Sequence, residues 1–206
     1  MTSVPIGVPE LLHPSRSCLL VWDLQKGLAG RATWPAESLE TVRALIDAAH
    51  GAGVPVMWSR HVAPPLAWAS PAQLRTLMRR QGVASVDQLV PAFQRGSEDV
   101  AFLPGFDPGD DALIEKSTPS LFVGTNAEAL LRARGVGTLV LTGVSTEAGI
   151  EFTARHAAAL GIIPVVVEDA VGSFSAAGHE RGMASIRANF DVVSASDVLD
   201  AWRTRS

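Results

Sequence analysis

Cysteine is almost absent from this 206-residue chain: Cys18 is the single thiol, which excludes an intrachain disulfide and any cysteine-rich metal cluster, and suits reducing surroundings. Lysine is nearly as scarce, because of 17 basic residues only Lys26 and Lys116 are lysines and the rest are arginine. Where arginine is the default cation, a retained lysine points to a place that needs a compact ammonium, although chance at two surface positions explains it equally simply. No apolar run approaches the ~20 residues of a membrane span. The first residues, MTSVPIGVPELLHPSR, lack the basic segment, apolar stretch and small-residue cleavage site of a secretory leader, so a cytoplasmic address is expected. A formal net charge of −4 gives no basic footprint for nucleic acid or an anionic membrane, which leaves a small molecule or another subunit as partner. No internal repeat or low-complexity tract is apparent.

What is present is 47% hydrophobic residues arranged as short Val-, Leu- and Ile-rich runs alternating with stretches of helical period. This is the pattern of a three-layer α/β/α fold around a mostly parallel, six-stranded, doubly wound sheet, here as one domain over residues 1–206. Strands are expected at Ser17 to Asp23, Val54 to Ser59, Leu113 to Glu115, Thr138 to Leu141, Ile162 to Val167 and Asp191 to Val193. A helix after Pro35 would bury Leu39, Val42, Leu45, Ile46 and Ala49 and stop at Gly51 and Gly53. Another would open on a capping box from Thr125 to Glu128 and close at Gly135, and a third would run from about Thr146 to Leu160. The proline-rich interval between the second and third strands, with one amphipathic piece at Gln73 to Arg80, reads as insertion material that either covers a site or packs on the surface.

Ligands of open parallel sheets bind outside the carboxyl ends of the strands, and three ends carry chemistry. The first run, CLLVWD, ends in Asp23, with Gln25 two residues on; the third ends in Glu115-Lys116-Ser117; the fourth, TLVLTG, passes through Val144, Ser145 and Thr146 to Gly149 and a helix. A small-residue turn from strand to helix aims backbone N–H groups at the crevice, where an anion or developing oxyanion can sit. Alone, each has an ordinary turn or cap reading.

Together, VWDLQ, EKSTPSLF and LTGVSTEAGIEFTARHA resemble the three signatures of the isochorismatase-like hydrolases in residues, order and spacing, over about Ser15 to Val193. In the amidases of that superfamily the resemblance implies an aspartate, a lysine and a cysteine, which fall on Asp23, Lys116 and Gly149. It also implies a non-proline cis peptide at Val144-Ser145. With glycine at the nucleophile position, as in isochorismatases, it implies hydrolysis without a protein nucleophile: Asp23 as general acid in enol-ether cleavage of a small carboxylated metabolite, assisted by Lys116. Ser145-Thr146-Glu147 instead resembles the turn of the cysteine amidases, so an amidase in which Asp23 activates water, or a silent ligand-binding relative, stands as alternative.

Arg60 and His61, after the second strand, are candidates for meeting a substrate carboxylate, and Trp68 and Phe122 for pocket walls; Trp22, Trp34, Trp58 and Phe152 are expected in the core. His156 and His179 read as structural, and Glu147 and Glu151 as exposed helix carboxylates. His61 lacks a second histidine at metal-site spacing, so no metal and no cofactor is expected. The resemblance implies a homo-oligomer, a dimer or tetramer.

Overall fold

The computed structural model describes residues 4–35 and 37–203. Six strands form one sheet: β1 (Ser17–Trp22), β2 (Val56–His61), β3 (Ala112–Lys116), β4 (Thr138–Val144), β5 (Ile163–Gly172) and β6 (Asp191–Val193), in the order β3-β2-β1-β4-β5-β6, every pairing parallel. Seven helices accompany them among the described residues: α1 (Val8–Leu11), α2 (Ser38–Gly51), α3 (Pro71–Gln81), α4 (Ala127–Ala133), α5 (Glu151–Ala159), α6 (Ala176–Arg187) and α7 (Ala195–Trp202). No helix of the described residues is long and apolar enough to cross a membrane.

All six residues of β1 are buried, because helices cover both faces of this central strand. The two-residue period of the strand divides them. Leu19 and Val21 enter an apolar layer with Val42, Leu45 and Ala49 of α2 and Val198 and Trp202 of α7. Cys18, Leu20 and Trp22 enter the opposite layer with Leu131 of α4, Ala154 and Ala157 of α5, and Met183 and Ile186 of α6. The three-layer α/β/α arrangement read from the sequence is thus the observed one.

Boundaries moved for identifiable reasons. β2, β4 and β5 extend past their apolar runs to Arg60-His61, Thr142-Gly143-Val144 and Gly172, since ladder pairing with neighbours carries polar residues and glycines along, β5 resuming its pairing at Val171-Gly172 after a register shift. The capping box expected at Thr125 is absent: its hydroxyl donates to the Leu121 carbonyl at 2.5 Å, and α4 starts at Ala127 with no side-chain cap at Asn126. A real capping box lies at Ser70 and Gln73, which with Pro71 starts α3. The expected helix from Thr146 begins as a widened π-type turn over Thr146–Ile150 before α5, a distortion found most often at functional sites.

Candidate active site

Register brings the strand ends together. Trp22 pairs with Ser59 of β2 and with Gly143 of β4, and His61 of β2 pairs with Lys116 of β3. Asp23 is the first residue beyond β1 and adopts the left-handed conformation, φ 49°, which aspartate tolerates better than most residues. Asp23 is only 4% exposed, yet both carboxylate oxygens are partnered: Oδ1 accepts from Ser59 Oγ at 2.6 Å and Oδ2 from Lys116 Nζ at 2.7 Å. The Asp23 N–H donates to the same Ser59 hydroxyl at 3.1 Å. Lys116 is itself 5% exposed, with its ammonium 4.0 Å from the centroid of the Trp22 ring. Burial pulls the Lys116 pKa below its ordinary value, and the Asp23 carboxylate opposes that pull.

The turn after β4 forms the other wall. The Val144–Ser145 peptide is cis and both residues are buried. Gly143, at φ 106°, lies so close to β1 that a Cβ there would come within 2.1 Å of the Trp22 carbonyl oxygen. The Thr146 hydroxyl donates to the Gly172 carbonyl at 2.9 Å and lies 3.0 Å from His179 Nδ1. Thr146 therefore anchors the turn to β5 and α6, a structural task rather than a substrate contact. Gly149 follows in the widened turn and is buried.

The remaining candidates divide. His61 belongs to the site: its ring packs edge-on to Phe93, with centroids 5.3 Å apart, and has no hydrogen-bond partner among the described residues. Burial and the nearby Lys116 charge pull its pKa down to about 4, so the imidazole is neutral at physiological pH. Gln25 is spent on structure, its amide bridging the His61 carbonyl at 2.9 Å and the His61 N–H at 2.6 Å. Arg60 is not a free carboxylate receptor, because Glu115 holds it at 2.5 Å and also pairs with Arg95. Trp68, in a short helical turn, is 83% exposed and lines neither the cleft beside Lys116 nor the cavity around Cys18. Phe122 leans on His156, centroids 5.1 Å apart, against the layer of α4 to α6. His156 bonds Ser120 Oγ at 2.8 Å, consistent with a structural role. Glu147 and Glu151 are half-buried rather than exposed, since hydroxyls of Ser173 and Ser185 reach them from β5's end and α6. Phe152 is 51% exposed on α5 and is not a core residue.

Two residues that matter escaped the sequence reading. Ser59, a lone hydroxyl after the apolar Val56-Met57-Trp58, positions both backbone and carboxylate of Asp23; its only signal was a polar residue at a strand end. Trp22 was read as core, and it is buried, but it also faces Lys116 and Gly149. Cys18 stays distant: five residues along a strand from Asp23 is roughly 16 Å. Burial, followed by the Asp111 charge, pushes its thiol pKa up to about 12, which leaves it inert.

A cleft of about 770 Å³ opens beside Lys116, walled by Val62 and Pro65 after β2, Gln94 and Arg95 of the insertion, and Ser117 and Thr118. Part of the insertion thus borders the site, and Gln73 at the start of α3 donates to the Ser117 carbonyl at 3.4 Å. A second cavity of about 420 Å³ lies at the opposite strand ends, around Cys18, His50, Asp111 and Arg134, away from the Asp23–Lys116 pair. Among the described residues, no three His, Cys, Asp or Glu side chains cluster as a metal site would require.

The parallel α/β sheet thus gathers a buried carboxylate–ammonium pair at its carboxyl ends, beside an open cleft, where ligands of such sheets bind. The isochorismatase domain model matches residues 17–198. The chain is 31% identical over 194 residues to the isochorismatase family protein YecD of Escherichia coli O157:H7, covering 92% of this chain and 98% of that protein. It is 31% identical over 210 residues to the ureidoacrylate amidohydrolase RutB of Methylobacterium radiotolerans, covering 90% and 79%. Among solved structures, a cysteine hydrolase from Pseudomonas syringae pv. phaseolicola superposes with a TM-score of 0.80 at 24% identity, covering 93% and 94%. An isochorismatase family protein from Burkholderia thailandensis gives 0.74 at 27%, covering 92% and 97%. The chain belongs to the isochorismatase family and is a hydrolase.

Proposed function

We propose that the protein is a cysteine-independent hydrolase of a small carboxylated metabolite, working as one catalytic domain in which the Asp23–Lys116 pair moves the proton. The observation that carries this reading is the pair itself: a buried carboxylate and ammonium 2.7 Å apart at the edge of the cleft, with no thiol near them. Retention of both charges costs several kcal/mol in desolvation, which folding alone would not require.

In enol-ether cleavage of the isochorismate type, Asp23 Oδ2 delivers a proton to the terminal vinyl carbon, and water adds to the resulting oxocarbenium carbon. The hemiketal then collapses with rupture of the C–O bond, releasing a keto acid and an alcohol, and the proton lost by the water returns to the pair. Burial pulls the Lys116 pKa down, which eases passage of its proton along the 2.7 Å hydrogen bond to Asp23 Oδ2. Neutral His61 offers a ring nitrogen to the substrate or water without adding charge. Arg95, on the cleft wall and largely exposed despite its pairing with Glu115, favours a substrate carboxylate at the mouth. The family's tendency to assemble supports a homo-oligomer.

A second reading is favoured by similarity, at 31% identity over 90% of this chain, to an amidohydrolase. Asp23 would then accept a proton from water attacking a C–N bond, with backbone N–H groups of the turn at Val144–Thr146 facing the oxyanion.

Turnover of isochorismate, ureidoacrylate, nicotinamide and small amides, by wild type and Asp23→Asn in parallel, tests both. Pyruvate release that falls about 100-fold or more in the variant supports the enol-ether route, and ammonia release that falls likewise supports the amide route. Turnover unchanged by Asp23→Asn overturns the assignment of the proton-moving group.

A further inference from the structure

The space that a side chain at residue 149 would need is already filled. A Cβ built on Gly149 would lie 2.1 Å from Nε1 of Trp22, 2.4 Å from Cε2 and 2.7 Å from Cζ2, all distances at which something must give way. The atoms in the way are not the loose end of a flexible side chain but the body of an indole that is 1% exposed and packed among Leu20, Leu141 and Ile150. Behind it the Trp22 carbonyl touches Gly143, so the ring cannot retreat by moving its backbone. The ring also carries the Lys116 ammonium at 4.0 Å from its centroid, which favours the cation within a site that otherwise desolvates it. The indole N–H has no acceptor among the hydrogen bonds of the described residues.

We infer that Trp22 is the residue that commits this site to chemistry without an enzyme-linked intermediate. It fills the position a nucleophile at 149 would occupy, and it positions Lys116 against Asp23 in the nucleophile's place. Gly149 and Trp22 are thus one exchange, a small residue admitting a large one, and restoring a thiol at 149 alone does not restore a usable nucleophile. The inference rests on the thiol-free reading given above for the function, but the packing claim is separable from it.

The test is a double-variant cycle read by thermal unfolding and by iodoacetamide labelling followed by intact mass. Gly149→Cys in the Trp22 background is expected to lower Tm by about 5 °C or more, as overpacking of a close-packed interior does. In a Trp22→Val background, itself less stable than wild type, adding Gly149→Cys is expected to cost nothing further or to recover part of the loss. Only in that double variant should one equivalent of iodoacetamide add to residue 149. Cys18, buried and with its thiol pKa raised to about 12, gives no competing adduct. Gly149→Ala, one methyl larger than wild type, keeps the claim testable should the cysteine variants fail to fold, and it too must lower Tm. A Gly149→Ala or Gly149→Cys protein as stable as wild type, or losses that simply add in the double variant, overturns the inference. An enzyme–substrate adduct trapped on the wild-type chain would sink the thiol-free reading instead and leave the packing result standing.

Discussion

Asp23 and Lys116 depend on each other. Lys116→Met would leave a buried carboxylate, on a side chain only 6% exposed, without its cation, and a stability loss of about 3–5 kcal/mol is expected by urea unfolding at neutral pH. Adding Asp23→Asn to Lys116→Met should cost less than the two losses summed, because no buried charge then remains; additive losses would show that the two side chains do not interact. Ser59→Ala removes the hydroxyl that serves both the Asp23 N–H and Oδ1, and should cost about 1–3 kcal/mol and slow whatever turnover is found more than it weakens substrate binding. At this scale the sequence was legible where a residue stood out along the chain. Asp23 ends an apolar run, and Lys116 is one of two lysines. Ser59 and the site face of Trp22 were not legible, because their partners lie 36 or more positions away and only strand register brings them together. Arg60 illustrates the reverse error: its strand-end position suggested a substrate receptor, while the neighbouring strand supplied Glu115 as its partner.

Among the elements, the junction of β1 and β4 is the point where the site is most constrained. Gly143→Ala would drive a Cβ to 2.1 Å from the Trp22 carbonyl at a φ of 106°, so this variant is expected to fail to fold or to melt far below wild type; near-normal Tm would contradict the close approach of the two strands. The strands themselves were readable because fully buried parallel strands are continuous apolar runs. Their polar extensions were not, since Arg60-His61 and the Val171-Gly172 end of β5 are held by ladder partners rather than by their own propensity. The start of α4 was misplaced because Thr125 has the right composition for a cap but donates its hydroxyl to the preceding turn and accepts only from the Ala127 N–H, without the reciprocal bond of a capping box. The insertion could not be assigned from its prolines, and only the structure puts Gln94 and Arg95 on the cleft wall and Gln73 on Ser117.

For the whole molecule, the parallel sheet and the two apolar layers follow from alternation of strands and helices, so the fold class was the most legible level of all, while the strand order comes from the structure. The pH dependence of stability was not, because it arises from the setting of one side chain. His61 titrates near its ordinary value of 6.5 when unfolded and at about 4 when folded. Between those values the unfolded chain holds more protons, so this contribution is fully present above about pH 6.5 and is lost as pH falls towards 4. At ~1.4 kcal/mol per unit the effect is about 3 kcal/mol at most. Urea midpoints measured from pH 4 to pH 7 should show it, and His61→Gln should flatten the slope in that window; an unchanged slope would remove His61 as its source.

The most direct test of the account's central claim, hydrolysis without a protein thiol through Asp23, is the rate of product release on the panel named above for wild type, Cys18→Ala and Asp23→Asn. Cys18→Ala is predicted to keep the wild-type rate while Asp23→Asn loses about 100-fold or more. Loss of turnover in Cys18→Ala with a native fold, or a wild-type rate in Asp23→Asn, would contradict it.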